Sequence, residues 1–190
     1  MPIAINGSGT ITGVSVGGLP DGIVDTDMIA AGAVTAAKRG AGSIVQVVNM
    51  KDTSRVAGST AMVYDDTVPQ NTEGNEFLTL SITPTSSSNK LYIHVYALLN
   101  PNGANTVVGA LFQDSTANAL ATSMEFQSNA EGGINFTLDH FMTAGTTSST
   151  TFKFRAGRVS ANTLVMNGAD TARLFGGVAS SGITIMEIAA

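Results

Sequence analysis

The chain has no cysteine, few charged residues and no long apolar run. Without cysteine there is no disulfide and no thiolate metal site, and the redox compartment leaves no mark on the sequence. Only 12% of the 190 residues are charged. A monomer's surface normally carries more Lys, Arg, Asp and Glu for solubility, so burial of surface between subunits is expected. The 9 basic residues are scattered, only Lys38 and Arg39 are adjacent, and the net charge is −5. Phosphate binding needs clustered cations, which argues against nucleic acid as a partner. No stretch approaches the length of a membrane span, so no membrane insertion is expected. The first residues, MPIAINGSGTITG, lack the basic start and apolar run of a secretory signal, and synthesis in a cytoplasm is expected. What is present is 43% hydrophobic residues and much Gly, Ala, Ser and Thr. That is too apolar for a disordered chain and enough for one domain with a sizeable core, plus an arm.

Residues 1–43 contain no aromatic side chain and many glycines. So few large side chains cannot build a core, and each glycine raises the entropy lost on ordering. Leu19-Pro20-Asp21-Gly22 is a turn signal, and Thr26 suits the cap of a short helix over Asp27–Ala31 that Gly32 stops. The segment reads either as a disordered leader or as an extended arm that orders along a partner, and the arm is the reading adopted. Its apolar residues Ile11, Val14, Val16, Leu19, Pro20, Ile23, Met28 and Ile29 are the candidate anchors. Gly40-Ala41-Gly42 is the expected hinge, which divides the chain into an arm, 1–43, and a domain, 44–190.

The most regular stretch is Glu76–Leu99. Leu78, Leu80 and Ile82 alternate with Phe77, Thr79, Ser81 and Thr83; then Leu91, Ile93, Val95 and Ala97 alternate with Lys90, Tyr92, His94 and Tyr96. Period two is the pattern of a strand with one buried face, and Pro84 with the serines and Asn89 suits a turn, so a hairpin is expected. The second run is unusual because its opposite face carries two tyrosines and a histidine. Tyr92, His94 and Tyr96 are therefore placed against a partner.

Further runs are Ile44–Val48, Thr60–Tyr64, Thr106–Gln113, Leu120–Phe126, Ile134–Met142, Thr150–Ala156, Thr163–Met166 and Ile183–Ile188, separated by turn-forming clusters. Roughly eight to ten short strands at such spacing, with no long helix, predict an all-β, jelly-roll-like antiparallel β-sandwich. Phe152 and Phe154 are expected to face inward, Lys153 and Arg155 outward.

Catalytic signatures are missing from the sequence. There is no Gly-x-Ser-x-Gly elbow, phosphate loop or dinucleotide fingerprint. Glu125, Glu131 and Asp139 are the candidate carboxylates for glycan cleavage, and their positions do not converge by sequence. Asp21, Asp25 and Asp27 lack the order of a calcium loop, Asp65-Asp66 reads as solvated charge, and His94 and His140 have no neighbouring carboxylate pair. His140 reads as a half-buried histidine. No enzyme activity, metal or cofactor is expected.

Two segments carry a resemblance. SGTITGVSVGGLPDGIVDTDMIAAGAVTAAKRGAGSIVQVV resembles an N-terminal segment shared by tail-fibre-like and decoration proteins of tailed bacteriophages. Leu80–Leu91, LSITPTSSSNKL, is similar to a second element of the same virion proteins. The downstream half is loosely like the trimeric jelly roll of the complement C1q and tumour-necrosis-factor type. The resemblance implies homotrimers on the virion surface, with Tyr92, His94 and Tyr96 in the trimer interface and arms on the major capsid protein or on tail components. The absence of heptads, Gly-X-Y runs and long repeats points to a knob on the capsid, a cement protein, rather than a fibre shaft. The alternative is a tail-fibre or short-fibre tip that binds a host-surface receptor or glycan through loops Asn100–Asn105, Asn129–Gly133 and Asn167–Thr171. A free lectin fits the sandwich but gives residues 1–43 no use.

Overall fold

The computed structural model describes Ala4–Ile5, Ile11–Thr12, Val34 and residues 38–128 and 132–190. The chain separates into two compact units, Met1–Gly40 and Ala41–Ala190. In the first, β1 (Ala4–Ile5) pairs antiparallel with β2 (Ile11–Thr12). The backbone of Ile11 thus belongs to a strand; Val14, Val16, Leu19, Pro20, Ile23, Met28, Ile29, the expected helix at 27–31 and Asp21, Asp25 and Asp27 lie outside the described residues.

The second unit holds β3 (Ile44–Asp52), β4 (Val56–Gly58), β5 (Asn75–Ile82), β6 (Lys90–Asn100), β7 (Asn105–Gln113), β8 (Ala121–Gln127), β9 (Ile134–Thr143), β10 (Thr150–Arg158), β11 (Leu164–Met166) and β12 (Ser181–Ile188). One sheet runs β3-β12-β6-β9, with β11 taking the place of β12 at the far end of β6 and pairing onward to β4. The other runs β5-β10-β7-β8. Every pairing is antiparallel. If the long strands are counted in chain order, the two sheets read 1-8-3-6 and 2-7-4-5, the order of a jelly roll.

This topology corrects the hairpin. β5 and β6 do not pair: β5 lies beside β10 in one sheet, and β6 between β12 and β9 in the other. The turn at 84–89 carries the chain across the core, so the apolar faces of both strands meet inside it. Phe77 is also buried rather than outward-facing. The β5–β10 register slips between Phe154↔Leu78 and Arg155↔Glu76, a bulge that leaves Phe77 unpaired and lets it and Leu78 both turn inward. Thr60–Tyr64 is not a strand. That segment crosses the outer face of the second sheet, where Met62 packs with Val108, Ala110 and Phe112 in a small separate core.

The main core is built from Leu91, Ile93, Val95 and Leu99 of β6, Phe136 of β9, Phe152 and Phe154 of β10, and Ile183 and Ile185 of β12. Phe152 and Phe154 face inward as expected, while Lys153 and Arg155 sit 3.6 and 3.7 Å from Glu76 on the other side. The rings of Phe136 and Phe154 are 5.5 Å apart over Gly109, where a Cβ would lie 2.6 Å from Phe136 Cζ. Only glycine admits that contact.

Candidate functional site

β6 buries one side completely and presents the other as the outer face of its sheet. Register places the side chains of this face in rows. Val47, Met186, Tyr92 and Phe141 form one; Asn49, Thr184, His94 and Asp139 the next; Lys51, Gly182, Tyr96 and Thr137 the third. Val47 and Phe141, on the outermost strands β3 and β9 of that sheet, are 51% and 58% exposed, large values for apolar side chains in mid-strand. The three residues proposed for an interface therefore do share one accessible face, and the sheet adds Val47, Phe141 and Met186 to them. Sequence reading missed these because each is unremarkable on its own strand.

Pairing of β6 with β9 also supplies the carboxylate that the sequence did not show beside His94. Asp139 lies directly opposite, with Oδ1 2.6 Å from His94 Nδ1. Tyr92 Oη donates to the same oxygen at 2.7 Å. The Tyr92 bond, and then the His94 bond, hold the Asp139 carboxyl below its ordinary range. An ionised carboxylate only accepts, so His94 carries its proton on Nδ1. In return, the bond to Asp139 raises the Tyr92 phenol above its ordinary value. His94 stacks on Tyr96 with centroids 6.4 Å apart, so the face is ordered by its own contacts before any partner arrives. His140 points the other way; it is half-buried, and desolvation lowers its pKa.

At the far end of the same face the loops close round a concavity of about 800 Å³. Leu98 of β6 and Asn135 of β9 lie on its floor; Asn100, Asp170, Phe175 and Ser180 line the sides. All three loops singled out from sequence contribute to it through Asn102, Gly132, Gly133 and residues 168–170, while residues 129–131 lie outside the described residues. The base is firmly held. Asn167 is fully buried at φ 57, donates to the carbonyls of Asp52 and Ser54 at 2.9 and 3.2 Å, and accepts from Ser181 Oγ at 2.7 Å. Arg55 donates to the carbonyls of Ala169 and Asp170.

A second polar cluster is structural. Glu187 of β12 is fully buried, and its carboxylate accepts from Asn89 Nδ2 (2.6 Å), Gln46 Nε2 (2.6 Å), Thr85 N and Thr85 Oγ1 (both 2.8 Å). Burial pulls its pKa up, but the bonds from Asn89, Gln46 and Thr85 outweigh burial and hold it below the usual range. The cluster fixes the crossover turn between the sheets.

Among the described residues no group of three or more His, Asp or Glu is placed to hold a metal. Asp65 accepts from Thr67 N and Oγ1 in an exposed turn. Glu125 and Asp139 stand on different sheets, and Glu131 lies outside the described residues.

No protein-family model matches the chain, and no curated protein does. Solved structures give distant likenesses. A sugar-binding protein, the EclA C-terminal domain, aligns with TM-score 0.37 and 14% identity over 64% of this chain and 74% of that one. The CBM22-1 xylan-binding domain of Paenibacillus barcinonensis Xyn10C aligns at 0.38 and 11% over 79% and 97%. The enzymatically active domain of bacteriophage CBA120 tailspike protein 4 aligns at 0.26 and 13% over 63% and 18%. At these scores the likenesses assign neither a family nor a ligand.

Proposed function

We propose that this chain is a non-enzymatic structural protein of a phage virion, a homotrimeric capsid-decorating knob held to the particle by its N-terminal residues. The observation that carries the reading is the outer row of Val47, Met186, Tyr92 and Phe141. A contiguous apolar patch on a sheet face marks a contact surface, and the low charge of the whole chain fits a protein that hides much of its surface in an assembly. The two virion-like sequence segments supply the particle as the setting. Three copies of a 19.4 kDa chain by light scattering, and a copy number comparable with that of the major capsid protein in purified particles, are the expected results. A monomer at micromolar concentration overturns the trimer, and a copy number of a few per particle moves the protein to the tail.

A second reading, a fibre tip that recognises a host-surface receptor or glycan, is favoured by the convergence of three loops on one concavity. Loops on a rigid sandwich suit recognition. Binding of the purified protein to host envelope polysaccharide tests it.

A further inference from the structure

Phe175 is the most conspicuous exposed aromatic of the knob, 69% accessible, and it stands on the rim of the loop-end concavity. Its backbone explains why the ring is outside. Phe175, Gly176 and Gly177 have φ of 51°, 62° and 86°, consecutive left-handed residues that turn the ring away from the core. That conformation is costly for an aromatic residue and persists only where the surroundings hold it. The surroundings do: Leu174 O accepts from Gly177 N at 3.1 Å, and the Arg173 guanidinium lies so close to Gly177 that a Cβ there would meet it at 2.5 Å. An apolar ring is thus kept in water beside a cleft whose volume, about 800 Å³, matches small-ligand sites.

The lining chemistry narrows the ligand. Among the lining residues there is no Lys or Arg, and Asp170 contributes a negative charge. The guanidiniums of Arg55 and Arg173 are held against the loop at Ala169, Asp170 and Gly177, so an anionic ligand meets no cation among the lining residues themselves. Asn135, Asp170 and Ser180 offer side-chain donors and acceptors that no other described residue uses, and Asn100 Oδ1 is turned to Asn102 N at 2.9 Å, leaving its amide N–H₂ outward. One flat apolar surface beside several unfilled hydrogen-bonding groups suits a sugar ring, which has a face of C–H bonds and a rim of hydroxyls. A purely apolar ligand would leave the asparagines unpaired, at a cost.

We propose that this concavity binds an uncharged oligosaccharide, with Phe175 as the stacking platform and Asn100, Asn135 and Ser180 hydrogen-bonding its hydroxyls. The proposal rests on the second reading above and deepens it. The site is separate from the apolar row on the same sheet, since Leu98 lies six residues along β6 from Tyr92, roughly 20 Å away. A trimer seam centred on that row leaves the cleft open.

The test is a printed array of microbial-surface oligosaccharides, neutral and acidic, probed with the full chain, followed by calorimetric titration of the best neutral binder. Phe175→Ala is expected to weaken binding at least tenfold, Asn135→Ala several-fold, and Phe175→Trp to retain it, with the melting temperature and oligomeric mass of all three unchanged. Equal binding by wild type and Phe175→Ala removes the site and leaves glycan recognition by the protein standing. Binding of acidic glycans alone overturns the uncharged class. No binding to any glycan by the wild type overturns both the site and the recognition reading.

Discussion

The ring of Tyr96 lies across Gly182 on the neighbouring strand: a Cβ at Gly182 would stand 2.9 Å from both Tyr96 Cε1 and Oη. The same Cβ would meet Met50 O at 2.4 Å, so a side chain at Gly182 would collide with both neighbouring strands, β3 and β6. Gly182→Ala is expected to destabilise the knob by about 1–3 kcal/mol, the usual cost of overpacking. Adding Tyr96→Ala relieves the ring contact and leaves the backbone clash, so thermal denaturation of the double variant should show partial recovery. Full recovery would mean that the backbone contact costs nothing.

The apolar row on the outer face makes a prediction for assembly. Phe141→Lys puts a charge among Val47, Met186 and Tyr92, and Tyr96→Ala removes an aromatic four residues from Tyr92 along β6. If the row is the centre of a trimer seam, each is expected to weaken association by about 2 kcal/mol or more, as central interface aromatics do. Sedimentation over a dilution series reads this. Trimers of unchanged affinity in both variants would move the seam elsewhere.

Asp139 accepts from Tyr92 and His94 through one oxygen. That bond raises the phenol of Tyr92, so Asp139→Asn is expected to bring it back toward its ordinary value. The phenolate absorbance of the tyrosines, titrated in the alkaline range, should show one transition moving to lower pH.

Glu187 sets the acid limit of the fold. Its folded pKa lies below the ordinary glutamate value, so its contribution is complete above that value and is lost as pH falls through the lowered one. The wild type should lose stability on acidification below about pH 4, and Glu187→Gln should lack this component. At neutral pH one end of the substituted amide is an N–H₂: with its oxygen kept on Asn89 and Thr85 it faces the Gln46 Nε2 donor, and the variant should be less stable by about 2–3 kcal/mol in chemical denaturation.

Sequence periodicity located the long strands closely. Thr150–Ala156 lies within β10, and Ile134–Met142 is β9 but for its last residue. It did not say which strands pair, because alternation records which side of a strand is buried and nothing about its neighbour. Hence Glu76–Leu99 read as a hairpin although its halves lie in different sheets. Phe77 departs from the alternation because a bulge breaks the period of two along β5. Tyr92, His94 and Tyr96 were legible as one face. Asp139, 45 residues beyond His94, becomes its partner only through register. Phe175 was hidden beside glycines that read as a turn, since exposure of an aromatic ring depends on its backbone φ.

The last strand, β12, is the sheet partner of the first long strand, β3, among the described residues, and the ends of both are laced together by Gly42 N to Ala189 O and Ala189 N to Ser43 O, each at 2.9 Å. A ribosome therefore has to deliver nearly the whole knob before β3 can pair at all. Until then the lower half of the sheet lacks its middle strand, and β6 shows an open edge to every other nascent chain nearby. Folding of the knob waits on β12, slow by the standard of local topologies and exposed to edge-to-edge errors until that strand arrives. Loss of even the final few residues would act on the first strand as much as on the last.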